Sequence, residues 1–127
     1  MAKKGFKALL AEANAVIESV SVHDAMAVHG AGDAVFVDVR EAHEHKAEGI
    51  PGAVSAPRGY LEFMADPESP LHKQALASGR RLIVYCATGG RSTLAVKTLH
   101  DMGLTNAVNM VGGIAAWKEA GGPVKSS

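Results

Sequence analysis

Cysteine is almost missing from this chain of 127 residues, which has one, together with one tryptophan, two tyrosines and three phenylalanines. A single thiol cannot close an internal disulfide, so a disulfide framework and a Cys-x-x-C redox pair are both excluded. Charge of one sign is lacking as well, since Lys plus Arg and Asp plus Glu each total 13 and the formal net charge is zero. No electrostatic grip on nucleic acid or on an anionic membrane is expected. Nor does any apolar stretch approach the roughly 18 uninterrupted residues that a membrane span requires. Internal repeats, low-complexity blocks and the phosphate-binding pattern GxxxxGK[ST] are absent too. What remains has the length of one compact domain that can bury a core without a structural metal.

The opening, MAKKGFKALLAEANAVIESV, sets lysines before apolar residues in the manner of a targeting segment. Glu12 and Asn14 interrupt it, and Phe6, Leu10, Ala13 and Ile17 recur at helical spacing, so an amphipathic helix over about residues 5–18 is expected instead of a signal. A cytoplasmic, reducing setting with a free thiol follows as an expectation. Four apolar runs read as strands: Ala34 to Val39, Ala53 to Pro57, Arg81 to Cys86 and Ala107 to Val111, with a short edge strand near Val20 to Val22. Val35 to Val39 and Leu82 to Tyr85 are nearly continuous in large apolar residues, as strands covered on both faces tend to be. Helical patterns alternate with them at HDAMAVHG, REAHEHKAEG, YLEFMAD, PLHKQALASG, RSTLAVKTLHDMG and GIAAWKEAGG, and Gly30, Gly49, Gly79, Gly103 and Gly121 stand where helix C-caps would. DPESP, from Asp66 to Pro70, reads as a tight turn. Strands alternating with helices predict an α/β domain with a largely parallel sheet, its core spanning about residues 20–124.

The one thiol lies at the end of a predicted strand, in VYCATGGRST. In a parallel sheet, ligands bind beyond the carboxyl ends of the strands, where the next helices present their amino termini. Ala87, Thr88, Gly89 and Gly90 are small enough to curl around Cys86 with their N–H groups inward, and a helix starting near Arg91 adds unpaired N–H groups and the positive end of its dipole. These effects lower a thiol pKa from about 8.5 toward neutrality. Arg91 can hold an oxyanion beside the sulfur, and Ser92 and Thr93 are first-turn donors.

At this point the sequence resembles the rhodanese-like sulfurtransferases. FVDVREAHEH, GIPGAVSAPRG, VYCATGGRS and MVGGIAAWKEAGGPV resemble four family signatures in the right order, over about Val20 to Val124. The resemblance implies a three-layer fold with a mostly parallel five-stranded sheet and helices on both faces. It also implies that Cys86 carries sulfur as a persulfide between a small donor such as thiosulfate and an acceptor, either cyanide, a thiol or an acceptor protein, with no cofactor. Ala87 to Ser92 would line the substrate site. Related phosphatases of the same scaffold have one more residue between cysteine and arginine, whereas here four intervene between Cys86 and Arg91. A non-catalytic binding module and a phosphatase or arsenate reductase are the competing readings. Two departures stand out. Glu48 and Gly49 replace the glycine and histidine common before IPGA, which is expected to alter a loop beside the sheet, and no second cysteine is present to resolve a persulfide.

Other residues carry weaker signals. Asp38 and Arg40 at a strand end read equally as a pair near the pocket mouth or as an ion pair securing the strand. Arg58 could steer an anionic donor, but a solvated loop arginine is the favoured reading. His43 and His45 flank Glu44 two apart, which faces them differently on a helix, so they are expected to face water and not a metal. Ile114 and Trp117 are expected to pack a terminal helix on the sheet. Leu61, Phe63 and Met64 are expected to be mostly core, a hydrophobic rim near the pocket being the lesser reading.

Overall fold

The computed structural model describes residues 3–127. In chain order its elements are α1 (Phe6–Val16), β1 (Ser19–Val20), α2 (Val22–Val28), β2 (Ala34–Asp38), α3 (Ala42–Ala47), β3 (Val54–Ser55), α4 (Leu61–Ala65), β4 (Arg81–Tyr85), α5 (Gly90–Asp101), β5 (Ala107–Met110) and α6 (Gly113–Glu119). Single 3₁₀ turns occupy Arg58–Tyr60 and Gln74–Ala77. The strands form one five-stranded sheet in the order β1-β5-β4-β2-β3, and every neighbouring pair is parallel. β4 is therefore the middle strand, with Leu82 to Val84 paired to Ala107 to Asn109 on one side and Arg81 to Tyr85 paired to Ala34 to Asp38 on the other.

The continuous apolar runs are explained by helices on both faces. Because side chains alternate along a strand, Val35, Val37, Leu82, Val84 and Ala107 point to one face and meet Ala95, Val96 and Leu99 of α5 with Leu61 and Ala65 of α4. Phe36, Ile83, Tyr85, Val108 and Met110 point to the other and meet Ala25 of α2 with Ile114 and Trp117 of α6. Trp117 is fully buried, its indole N–H donates to Pro123 O at 2.8 Å, and its edge stands against Phe36 and His29. Each such large side chain contributes about 1.5–3 kcal/mol by leaving water.

Several boundaries differ from expectation for identifiable reasons. Val22 opens α2 instead of extending the edge strand, because the Ser21 hydroxyl caps that helix by accepting from Asp24 N at 3.1 Å. The pattern from Pro70 to Gly79 yields only the 3₁₀ turn Gln74–Ala77, in which Leu76 alone is buried, too little apolar surface to hold longer regular structure. α1 packs on α5 through Ala13, with Leu10 and Ile17 half-buried, and leaves Phe6 67% exposed. Phe63, expected mostly in the core, is 56% exposed, whereas Leu61 is buried and Met64 partly so. Gly49 is not a left-handed helix cap. It forms an antiparallel bridge with Lys125, each N–H reaching the other's carbonyl at 2.9 Å. No helix among the described residues is long and apolar enough to cross a membrane.

Candidate active site

Cys86 follows the last residue of β4 and continues its alternation, so its side chain enters the face covered by α5 and is only 2% exposed. Sγ accepts hydrogen bonds from Gly89 N at 3.1 Å and Ser92 N at 3.4 Å, and the thiol donates to Ser92 Oγ at 3.4 Å. Burial alone pushes this thiol up, but the Ser92 hydroxyl, which lowers the pKa by donating to the ionised sulfur, together with the N–H groups of Ser92, Gly89 and Thr88 outweighs it, and the Cys86 pKa lies below its ordinary value. The curl depends on Gly89, whose φ of 122° is outside the range that residues with a Cβ adopt readily. Thr88 and Gly90 are exposed and form the mouth, while Ser92 and Thr93 are buried beneath it.

A second wall comes from the start of α6. Ile114 N donates to Cys86 O at 2.9 Å and Ala115 N to Ala87 O at 3.1 Å, so this helix holds the thiol loop by its carbonyls. The approach is close enough that a Cβ on Gly113, already at φ 62°, would lie 2.5 Å from Cys86 O and 2.6 Å from Ala87 O. From sequence, this segment reads as a family signature and as a helix packed through Ile114 and Trp117, with no contact to the thiol loop expected of it. Its glycine pair was the available signal.

Arg91 is engaged by an acidic partner from α3. Its Nη1 and Nη2 donate to Glu44 Oε1 and Oε2 of α3 at 2.8 and 3.3 Å. Beside that guanidinium the Glu44 carboxyl falls to about 2, and it also accepts from Glu41 N at 2.9 Å, closing a capping box at the start of α3. Nothing in the local sequence marks Glu44 as this partner, because the two residues lie 47 apart.

Asp38 and Arg40 form a buried ion pair at the end of β2. The Asp38 carboxylate is fully buried and accepts from Arg40 N and Nε at 3.0 Å and from Nη2 at 2.7 Å, while Nη2 also reaches Glu48 O at 2.6 Å. The guanidinium lies 5.8 Å from the centre of the Tyr85 ring. His45 joins the cluster, with Nδ1 2.9 Å from Asp38 Oδ2 and its side chain 19% exposed, so the expectation that both histidines face water holds for His43 only. A Cβ on Gly49 would come within 2.9 Å of His45 Nδ1. The His45 ring thus fills the space that a side chain at position 49 would need. Arg58 is not a freely solvated loop arginine. Its Nη1 donates to Glu62 and its Nη2 to Thr98 Oγ1, both at 3.0 Å, which ties the turn after β3 to α5.

Comparisons with known proteins agree with this geometry. The rhodanese-like domain family matches residues 21–120. Thiosulfate sulfurtransferase 16, a chloroplastic protein of Arabidopsis thaliana, is 34% identical over 122 residues, covering 92% of this chain and 100% of that protein. The human thiosulfate:glutathione sulfurtransferase is 32% identical over 108 residues, covering 80% and 93%. Other relatives are longer, and the chain spans 45% of an uncharacterized Synechocystis protein and 23% of an adenylyltransferase and sulfurtransferase of Meyerozyma guilliermondii. Among solved structures, a Rhodopseudomonas palustris protein of unknown function, described as a possible tyrosine phosphatase, superposes with a TM-score of 0.91 at 44% identity over 98% of this chain and 97% of its own. A human single-domain sulfurtransferase superposes with a TM-score of 0.67 at 30% identity, covering 80% and 95%. With a parallel five-stranded sheet, a buried thiol in a curl of main-chain N–H groups and a match over most of its length, this chain belongs to the rhodanese-like sulfurtransferase family.

Proposed function

We propose that the chain transfers sulfane sulfur through a persulfide on Cys86, with Ala87 to Ser92 as the substrate loop. The Cys86 thiolate attacks the outer sulfur of a donor such as thiosulfate, forming an S–S bond while the S–S bond of the donor breaks and sulfite departs with the electron pair. A nucleophile, cyanide or a thiol, then attacks the terminal sulfur, and Cys86 leaves as the thiolate. Both half-reactions begin or end with negative charge on sulfur at this loop. The N–H groups of Gly89 and Ser92 are already aimed at that charge, and this is the single observation that carries the reading. With no other cysteine in the chain, the accepting thiol comes from outside, as glutathione or an acceptor protein, and a reducing compartment such as the cytoplasm suits a free reactive thiol.

Intact mass spectrometry after incubation with thiosulfate tests this directly. A gain of one sulfur atom, removable by a reductant and absent from Cys86→Ser, supports the reading. No gain, with Cys86 still open to alkylation, favours a binding module instead.

The description of the Rhodopseudomonas palustris neighbour raises phosphate-ester hydrolysis as a second reading. Two features weigh against it. Only four residues separate Cys86 from Arg91, a short loop for a tetrahedral phosphate, and the guanidinium that would clamp that phosphate is engaged by Glu44. Turnover of an aryl phosphate without thiocyanate formation from thiosulfate and cyanide would reverse the preference.

A further inference from the structure

Behind the thiol lies a closed ring of hydrogen bonds whose side chains neither half-reaction above uses. The Cys86 thiol donates to Ser92 Oγ at 3.4 Å, Ser92 Oγ donates to Asn109 Oδ1 at 2.6 Å, with Gly89 O a second, longer acceptor at 3.1 Å, Asn109 Nδ2 donates to Thr93 Oγ1 at 3.2 Å, and Thr93 Oγ1 donates to Gly89 O at 2.7 Å. Gly89 N returns to Sγ at 3.1 Å. Ser92, Thr93 and Asn109 are 0%, 5% and 4% exposed, and no buried side-chain nitrogen or oxygen among the described residues lacks a partner. Asn109 is the one polar residue of β5, and it sits opposite Val84 on the face that also receives Cys86.

The ring as it stands serves a protonated sulfur. A hydroxyl has one proton, and while Ser92 gives its proton to Asn109 it can only accept from Cys86. An ionised sulfur has nothing to give and needs a donor. Turning the Ser92 proton toward Sγ would leave Asn109 Oδ1 facing an oxygen lone pair in a site closed to water, an expensive loss. A half-turn of the Asn109 amide removes that conflict. Nδ2 then donates to Ser92 Oγ, Ser92 donates to Sγ, and Thr93 Oγ1 donates to Oδ1, while Gly89 O keeps the Thr93 N–H that already reaches it at 3.0 Å.

We propose that Asn109 is a positioning residue whose amide reverses this hydrogen-bond chain, so that Ser92 accepts from the Cys86 thiol and donates to the Cys86 thiolate. The thiol proton leaves to solvent, and each hydroxyl keeps its own proton and only rotates. A side chain that is both donor and acceptor is required for both directions, and the amide is one. The charged groups around the sulfur are Arg91 of α5, with Glu44 of α3 upon it, and Asp38 of β2, held by Arg40 and His45. β5 carries no titratable group. The proposal takes Cys86 as the reacting group from the reading above, but its readout is ionisation. A chain that ionises as expected and accepts no sulfur refutes that reading and leaves the relay intact.

The test follows the Asn109 side-chain amide by nitrogen-15 NMR in the full chain while the Cys86 ionisation midpoint is measured from the pH dependence of alkylation by iodoacetamide. The Asn109 resonances are expected to titrate with the same midpoint as the thiol, and to lose most of that response in Ser92→Ala. Asn109→Asp, of the same shape but able only to accept when ionised, is expected to raise the thiol midpoint by about one pH unit or more. That rise is expected to shrink severalfold when Ser92→Ala is added. Flat Asn109 resonances through the thiol titration would overturn the relay, and so would an Asn109→Asp shift of equal size with and without Ser92. The NMR titration uses the unaltered position 109, so it decides the matter even where the aspartate variant does not fold.

Discussion

Cys86 is held in a site that both hides it and favours its charge. Those effects oppose each other, and the hydrogen bonds of the loop to Sγ decide the sign. The rate of persulfide formation from thiosulfate is therefore expected to rise with pH and level off at a midpoint below about 8.5, the usual value for a free thiol. A stopped-flow pH profile checks this, and a midpoint at or above the ordinary value would remove the electrostatic basis of the proposed chemistry. Glu44 gives a second prediction on the same scale. Its carboxyl is held at about 2, below the roughly 4.3 of an unfolded glutamate, so the stabilisation is present above the unfolded value and lost as pH falls through the folded one. Between about pH 4.5 and 2 the wild-type chain should lose stability more steeply than Glu44→Gln in urea titrations. Near neutral pH the same variant should cost no more than about 1 kcal/mol, because the Arg91 side chain is 41% exposed and such pairs are screened. Releasing Arg91 is also expected to lower KM for thiosulfate, and a raised KM would instead mean that Glu44 holds Arg91 in its working position.

At the scale of elements, the loop after β4 keeps its shape because two helices grip it from opposite sides. The N-cap and first turn of α5 supply the Gly89 and Ser92 N–H groups that meet the sulfur, and the first turn of α6 supplies those that meet the Cys86 and Ala87 carbonyls. Gly113 is where the second grip is closest, and what it would meet is backbone, which cannot swing aside. Gly113→Ala is expected to cost at least ~2 kcal/mol in a denaturant melt, from the contact and from the strained φ together. It should also displace the loop, seen as faster and less selective alkylation of Cys86. Retention of wild-type stability would mean that α6 can retreat without consequence.

Over the whole molecule, the carboxyl edge of the sheet is organised by a buried ionic cluster next to the thiol loop. Val39 N donates to Tyr85 O at 3.0 Å and Arg58 N to Val39 O at 3.0 Å, so backbone pairing runs past the ends of the strands and fixes Asp38, Arg40 and Cys86 along one edge. Asp38→Asn would leave the Arg40 guanidinium, 7% exposed, without a compensating charge. A loss of about 3–5 kcal/mol is expected. A chain of this size would then melt roughly 10–20 °C lower by calorimetry. A much smaller shift would place the burden on the Glu48 carbonyl and the Tyr85 ring instead.

Sequence alone determined the alternation of strands and helices, the two-faced burial of the central strands and the position of the thiol at a strand end, because periodicity, turn residues and the small-residue run after Cys86 are local properties of the chain. It also held the sites of most helix ends. Tertiary structure decided the partners. Arg91 met Glu44 across 47 residues, His45 turned to Asp38, α6 closed on the Cys86 carbonyls, and Asn109 reached Ser92 and Thr93 from a different strand. Hydrogen bonds and ion pairs form within about 3 Å, and which side chains come that close depends on how strands stack in the sheet, an order that does not follow the order of the chain.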